Sequence, residues 1–129
     1  MTMRALRLFV CMSVITGCAS VTRVEPGGGS QLAVEGRTYD EVWRAAVKVV
    51  GHHLRIDAGT DKDRGEIQAA GGGGRFSPGE LVGVFIRPAN TPSGRYVVEV
   101  VSRKRAPVPL TGKDWEKTII EGLKTELKL

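Results

Sequence analysis

Apolar residues recur along this chain at three spacings, and each spacing predicts a different kind of element. At helical spacing, Val42, Trp43, Ala46, Val47, Val50 and Leu54 form one stripe, while Asp40, Arg44 and Lys48 face away from it. Thr38-Tyr39-Asp40-Glu41 has the capping-box form, so a core-facing amphipathic helix is predicted to start there. Trp115, Ile119, Ile120, Leu123 and Leu127 make a second stripe, opposed by Glu116, Lys117, Glu121, Lys124 and Lys128. A cap within 111–114, with Asp114 at the positive helix end, opens that helix, and its late lysines suit the negative end.

At strand spacing, Leu54, Ile56 and Ala58 alternate with Arg55 and Asp57. The charged turn 59–65 connects them to 66–70, where Ile67 and Ala69 share a face, and the two runs predict a hairpin. Glycines 71–74 are expected to break it, with a loop continuing to Gly79. Residues 81–86 are apolar except at Gly83, and 96–101 nearly so, as in central strands covered on part of both faces. A wide loop over 88–94 predicts that these two pair antiparallel, and Pro107 and Pro109 end the second. Leu32 and Val34 share a face of a short edge strand over 32–34. The fold class is α+β: a small antiparallel sheet of four to five strands with two amphipathic helices on one face, the other face being solvated or open to a partner.

The third spacing is an unbroken apolar run, 8–15, too short to span a bilayer and preceded by Arg4 and Arg7. It ends in Ile15-Thr16-Gly17-Cys18, which resembles the lipobox of bacterial lipoproteins. That resemblance makes Ile15, Thr16 and Gly17 the signal-peptidase recognition residues and Cys18 the lipid attachment site. An ordinary secretory signal with an incidental cysteine, or a buried apolar helix, are the competing explanations. Cys11 would leave with the signal, so the exported domain has neither an intramolecular disulfide nor a multi-cysteine metal site. Several acyl chains on Cys18 would make attachment stable. In the lipoproteins this resembles, Asp after the lipidated cysteine favours the inner membrane; Ala19 here implies the outer membrane. Residues 19–31, with Pro26-Gly27-Gly28-Gly29-Ser30, lack periodicity and read as a flexible tether reaching roughly 20 Å. The expected organisation is a signal peptide (1–17), a lipidated N-terminus and tether (18–31), and one domain (32–129).

Composition sharpens this in two ways. With 129 residues, 41% hydrophobic, there is material for one modest core; of the seven aromatics, Phe9 lies in the N-terminal apolar run, which leaves six to build it. The formal charge of +5 falls to +3 once Arg4 and Arg7 are removed, too mild and dispersed for a nucleic-acid partner.

The predicted order β-α-β-β-β-β-α resembles the helix-grip domains of the C lipoprotein in the outer-membrane β-barrel assembly machine. Leu81-Val82-Gly83-Val84, Val100-Val101-Ser102-Arg103-Lys104 and Leu110-Thr111-Gly112-Lys113-Asp114-Trp115-Glu116-Lys117 are similar to small proteobacterial outer-membrane lipoproteins of undefined function, over roughly the last fifty residues. No catalytic residue comes with either resemblance.

Candidate chemistry is sparse. His52 and His53 are about 100° apart on a helix, unlike a chelating i, i+4 pair, and histidines are ordinary at a helix C-terminus. Asp61-Lys62-Asp63-Arg64-Gly65 lacks the later ligands of a calcium loop and reads as a charged turn. Glycines 71–74 lead towards a strand, where a phosphate loop would open a helix. Trp115 matches the core stripe better than an exposed glycan-stacking position. Arg103-Lys104-Arg105, near Arg87 and Lys113, is the densest cationic cluster: a solvated strand end, or a surface for lipid phosphates or acidic glycans. No nucleophile set, metal set or cofactor loop is evident, and a hydrolase would have to rest on His52 or His53. The sequence thus predicts a non-enzymatic module, anchored by lipid on Cys18 in the outer membrane and facing the periplasm, that docks on another envelope protein. The alternative is a lipid- or glycan-binding module with a groove between the sheet and the last helix, its charge read by Arg103 to Arg105.

Overall fold

The computed structural model describes residues 23–57, 59–74, 77–89, 94–105 and 114–129; residues 15–18, which resemble a lipobox, lie outside them. Its elements are β1 (Ser30–Glu35), α1 (Tyr39–His53), β2 (Arg55–Ile56), β3 (Glu66–Gly74), β4 (Ser77–Pro88), β5 (Arg95–Lys104) and α2 (Trp115–Leu127), the predicted order.

Each helix begins where its cap residue lies. The Thr38 hydroxyl accepts from the Glu41 amide at 3.2 Å, and the Glu41 carboxylate accepts from the Thr38 amide at 2.8 Å, completing the capping box. Two otherwise unpaired amides of the first turn are thereby satisfied, so Thr38→Ala is expected to lower the unfolding free energy by about 1 kcal/mol in urea titration. For α2 the cap is Asp114, whose carboxylate accepts from the Lys117 amide at 3.0 Å. Next to the first cap, the hydrogen bond from Lys62, more than its charge alone, holds the exposed Asp40 carboxyl below its usual range.

The five strands form one antiparallel sheet in the order β1-β5-β4-β3-β2. Both helices lie on one face, over Val34, Ile67, Val82, Val84, Val98 and Val100, all fully buried with Val42, Val50, Ile119 and Leu123. Both tryptophans are buried in this core, as their periodicity predicts. Val47 is only partly buried, whereas Ala45 and Val49 are buried; the buried stripe of α1 is therefore wider than its predicted one.

Three boundaries differ from expectation. Of the predicted strand over 54–58, Arg55 and Ile56 form β2; Leu54 instead caps α1, its amide donating to the Val50 carbonyl at 2.7 Å, and Ala58 lies outside the described residues. β3 continues through glycines 71–74, and β4 starts at Ser77 rather than Leu81, since the backbones of 71–74 pair in register with 77–80. Glycine at 71 also has a packing reason: a Cβ there would lie 2.2 Å from the Leu54 side chain and 3.5 Å from Trp115. The charged loop closes as the predicted turn, its Asp61 carboxylate accepting from the amides of Asp63 and Arg64 at 2.9 and 3.2 Å.

The largest difference is at the N-terminus. Residues 23–31 were expected to belong to a flexible tether, yet Ser30 and Gln31 are already paired in β1. Residues 23–29 cross the other face of the sheet, and Val24 is 1% exposed there. That face is therefore not simply solvated: a second apolar cluster of Val24, Leu81, Phe85 and Val101 lies on it.

Candidate functional site

The strap formed by residues 23–29 and the sheet face beneath it make the most elaborated polar site among the described residues. Strand alternation puts Glu66, Gln68 and Ala70 of β3, Leu81, Gly83, Phe85 and Arg87 of β4, and Glu99, Val101 and Arg103 of β5 on this outer face. In register, Glu66 lies opposite Phe85 and Phe85 opposite Glu99; Gln68 lies opposite Gly83 and Gly83 opposite Val101. The strap runs over these two rows, across the strands.

Its backbone is held by side chains. Gln68 uses both ends of its amide on one residue: its oxygen accepts from the Val24 amide at 3.1 Å, and its nitrogen donates to the Val24 carbonyl at 2.9 Å. This reproduces the pair of bonds that a neighbouring strand would supply. The same nitrogen donates to the Glu66 carboxylate at 2.8 Å, and Glu66 is ion-paired with Arg23. Further along, the Glu99 carboxylate accepts from the amides of Gly27 at 3.0 Å and Gly29 at 3.4 Å, and from Arg87 at 3.4 Å. Arg103 donates to the Gly27 carbonyl at 3.3 Å.

Glu66, Gln68 and Glu99 are thus buried at 5%, 5% and 2% exposure, and among the described residues no fully buried side-chain nitrogen or oxygen lacks a hydrogen-bond partner. Burying two carboxylates is costly unless each is paired and hydrogen-bonded, and here the strap backbone supplies part of that pairing. Beneath Val24 the sheet makes room through Gly83: a Cβ there would fall 2.8 Å from the Phe85 ring and 3.2 Å from Val24. Full burial of the Val24 side chain contributes about 2 kcal/mol.

Two of the concavities among the described residues lie on opposite sides of the sheet. One of about 190 Å³ lies beside the strap between Arg64 and Arg87, lined also by Glu25, Pro26, Glu66 and Phe85. The other, about 620 Å³, is a groove on the solvent side of the helix pair, with Val49 and Gly122 among its lining and His52, His53 and Glu121 around them. Between α2 and the sheet, Val98, Val100, Ile119 and Leu123 are all 0% exposed.

The sequence-derived candidates are dispersed. Arg103 is on the outer face and grips the strap, whereas Arg105 is exposed at the strand end, its amide donating to the Gly79 carbonyl at 3.3 Å. Lys104 is exposed and lies opposite Glu80 in register. Arg87 is opposite Val97 and Arg103 opposite Leu81, which precedes Arg87 by six residues in β4, so the two arginines sit roughly 20 Å apart on the same face. Lys113 falls outside the described residues. The rings of His52 and His53 meet edge to face at 4.8 Å at the exposed end of α1. Among the described residues no three His, Cys, Asp or Glu side chains are grouped to hold a metal ion.

No model of a known protein family matches this chain, and a search of curated proteins finds no match either.

Proposed function

We propose that this chain is a lipid-anchored lipoprotein of the bacterial cell envelope, held in the outer membrane through Cys18, whose small non-catalytic domain faces the periplasm and docks on another envelope protein. The observation that carries it is the sequence Ile15-Thr16-Gly17-Cys18 at the end of an apolar run preceded by Arg4 and Arg7. The fold is compatible in one specific way. Its core as described begins at Val24, six residues beyond Cys18, so removing 1–17 takes away none of those core residues. The strap then ties the anchor-bearing end directly to the sheet.

Metabolic labelling with an alkyne fatty acid, followed by density separation of the membranes, tests this. Full-length protein is expected to carry label and travel with the outer membrane, and Cys18→Ser to lose both properties. Soluble, unlabelled wild-type protein would overturn the proposal.

A further inference from the structure

The strap fixes where the anchor leaves the fold, and the chain outside it is short. Arg23 sits at the outer face of the sheet beside Glu66 of β3, and five peptide steps separate it from Cys18. Fully extended, five steps span at most about 18 Å. The far surface of the helices lies about 15 Å behind the sheet, from a layer spacing of about 10 Å plus a helix radius of about 5 Å. A chain starting on the outer face must also pass around the sheet edge to get there, a path of about 25 Å or more with strands about 5 Å apart. The anchor therefore cannot bring the solvent face of α2 against a bilayer while the strap is docked.

We propose that the strap side of the sheet is the membrane-facing surface of the anchored protein, with Arg23, Arg64 and Arg87 at the level of the phosphate groups of anionic lipids. The inference rests on acylation of Cys18. Charge on this side is arranged to suit it. Glu66 and Glu99 keep only 7% and 2% of their side chains in solvent, whereas their partners Arg23 and Arg87 keep 39% and 51%. The carboxylates are thus buried while the side chains of the two arginines that pair with them stay part-exposed. Arg64, exposed in the turn before β3, lines the same concavity as Arg87. Glu25, 79% exposed, is the one exposed carboxylate in that lining, and it lies 3.8 Å from the Arg23 guanidinium. Guanidinium groups pair with phosphate through two parallel hydrogen bonds, so partly free arginines beside the anchor are suited to headgroup phosphates. The solvent face of the helix pair, with the groove beside Val49 and Gly122, is then turned away from the bilayer and left accessible to a protein partner.

The acylated protein would have no free thiol, because Cys11 leaves with the signal and Cys18 is alkylated, so an introduced cysteine can be labelled uniquely. Bimane is placed in turn at Glu25→Cys and Arg64→Cys on the strap side, and at Lys117→Cys and Lys124→Cys on the exposed face of α2. Each lipidated protein is reconstituted into vesicles of phosphatidylethanolamine and phosphatidylglycerol doped with a headgroup-spin-labelled lipid. Quenching is expected to be severalfold greater at 25 and 64 than at 117 and 124. Equal quenching at all four sites, or stronger quenching on α2, in protein whose acylation is verified by mass would overturn the orientation alone. Protein that mass spectrometry shows to carry no diacylglyceryl group would overturn the anchor as well.

Discussion

Alanine at Glu99 is expected to lower the unfolding free energy by about 3 kcal/mol and to free the strap from the sheet. The Glu99 side chain is 2% exposed and accepts from the amides of Gly27 and Gly29 and from Arg87. Removing it leaves those donors without their acceptor, and breaking a buried charge pair from one side costs about 3–5 kcal/mol. Because Arg87 is half exposed and can turn to water, the lower end of that range applies. Release should also uncover Leu81, Phe85 and Val101, which the strap now helps to bury. Two measurements separate release from general loosening. Urea titration gives the stability loss, and brief trypsin digestion read by mass reports cleavage after Arg23. In the wild type that bond is guarded by the Arg23–Glu66 pair and by Gln68 on the Val24 backbone. A Glu99→Ala protein as stable and as resistant as wild type would show that the carboxylate holds nothing.

Leu123→Ala should cost as much by a different route, about 3–4 kcal/mol, while leaving the strap in place. Leu123 is 0% exposed in the core between α2 and the sheet, and truncating such a leucine removes transfer free energy and leaves a cavity. It lies across the sheet from Val24 and belongs to the other apolar cluster. Cleavage after Arg23 under native conditions should therefore stay at the wild-type rate. The double variant with Glu99→Ala should lose close to the sum of the two, to within about 0.5 kcal/mol, as expected for sites without shared partners. Strong coupling would instead mean that the two faces of the sheet pack as one unit.

Of the two faces, the helical one is legible in the sequence and the strapped one only in part. Thr38 and Glu41 announce α1, Asp114 announces α2, and the stripes through Trp43 and Trp115 name most of the core, because these signals are local and repeat at the helical period. The apolar runs of β4 and β5 suggest cover on part of both faces, yet the second face was expected to be solvated or open to a partner, and it carries the Val24 cluster instead. What covers the second face is not legible. Val24 is one aliphatic residue ahead of a Pro-Gly-Gly-Gly stretch, with no period to betray it. The residues that hold it, Gln68 and Glu99, occupy strand positions where a polar side chain ordinarily means solvent. Their burial depends on contacts 44 and 72 residues away in the chain. Glycines 71–74 mislead for a related reason: intrinsic preference reads them as a break, but pairing with the backbone of 77–80 decides their conformation. The cationic residues 103–105 are legible as a cluster in sequence, yet strand alternation sends Arg103 to the strap and leaves Arg105 at the strand end.

Amide hydrogen exchange on the mature chain carrying Cys18→Ser tests the closed strap most directly. Val24, Gly27 and Gly29 should exchange well below the rates of an unstructured peptide, since their amides donate to Gln68 and Glu99. The same three amides should lose protection in Glu99→Ala while Val98 and Val100 keep theirs. Exchange of Val24 and Gly27 at unstructured-peptide rates in the unaltered domain would contradict the strap, and with it the face assigned to the membrane.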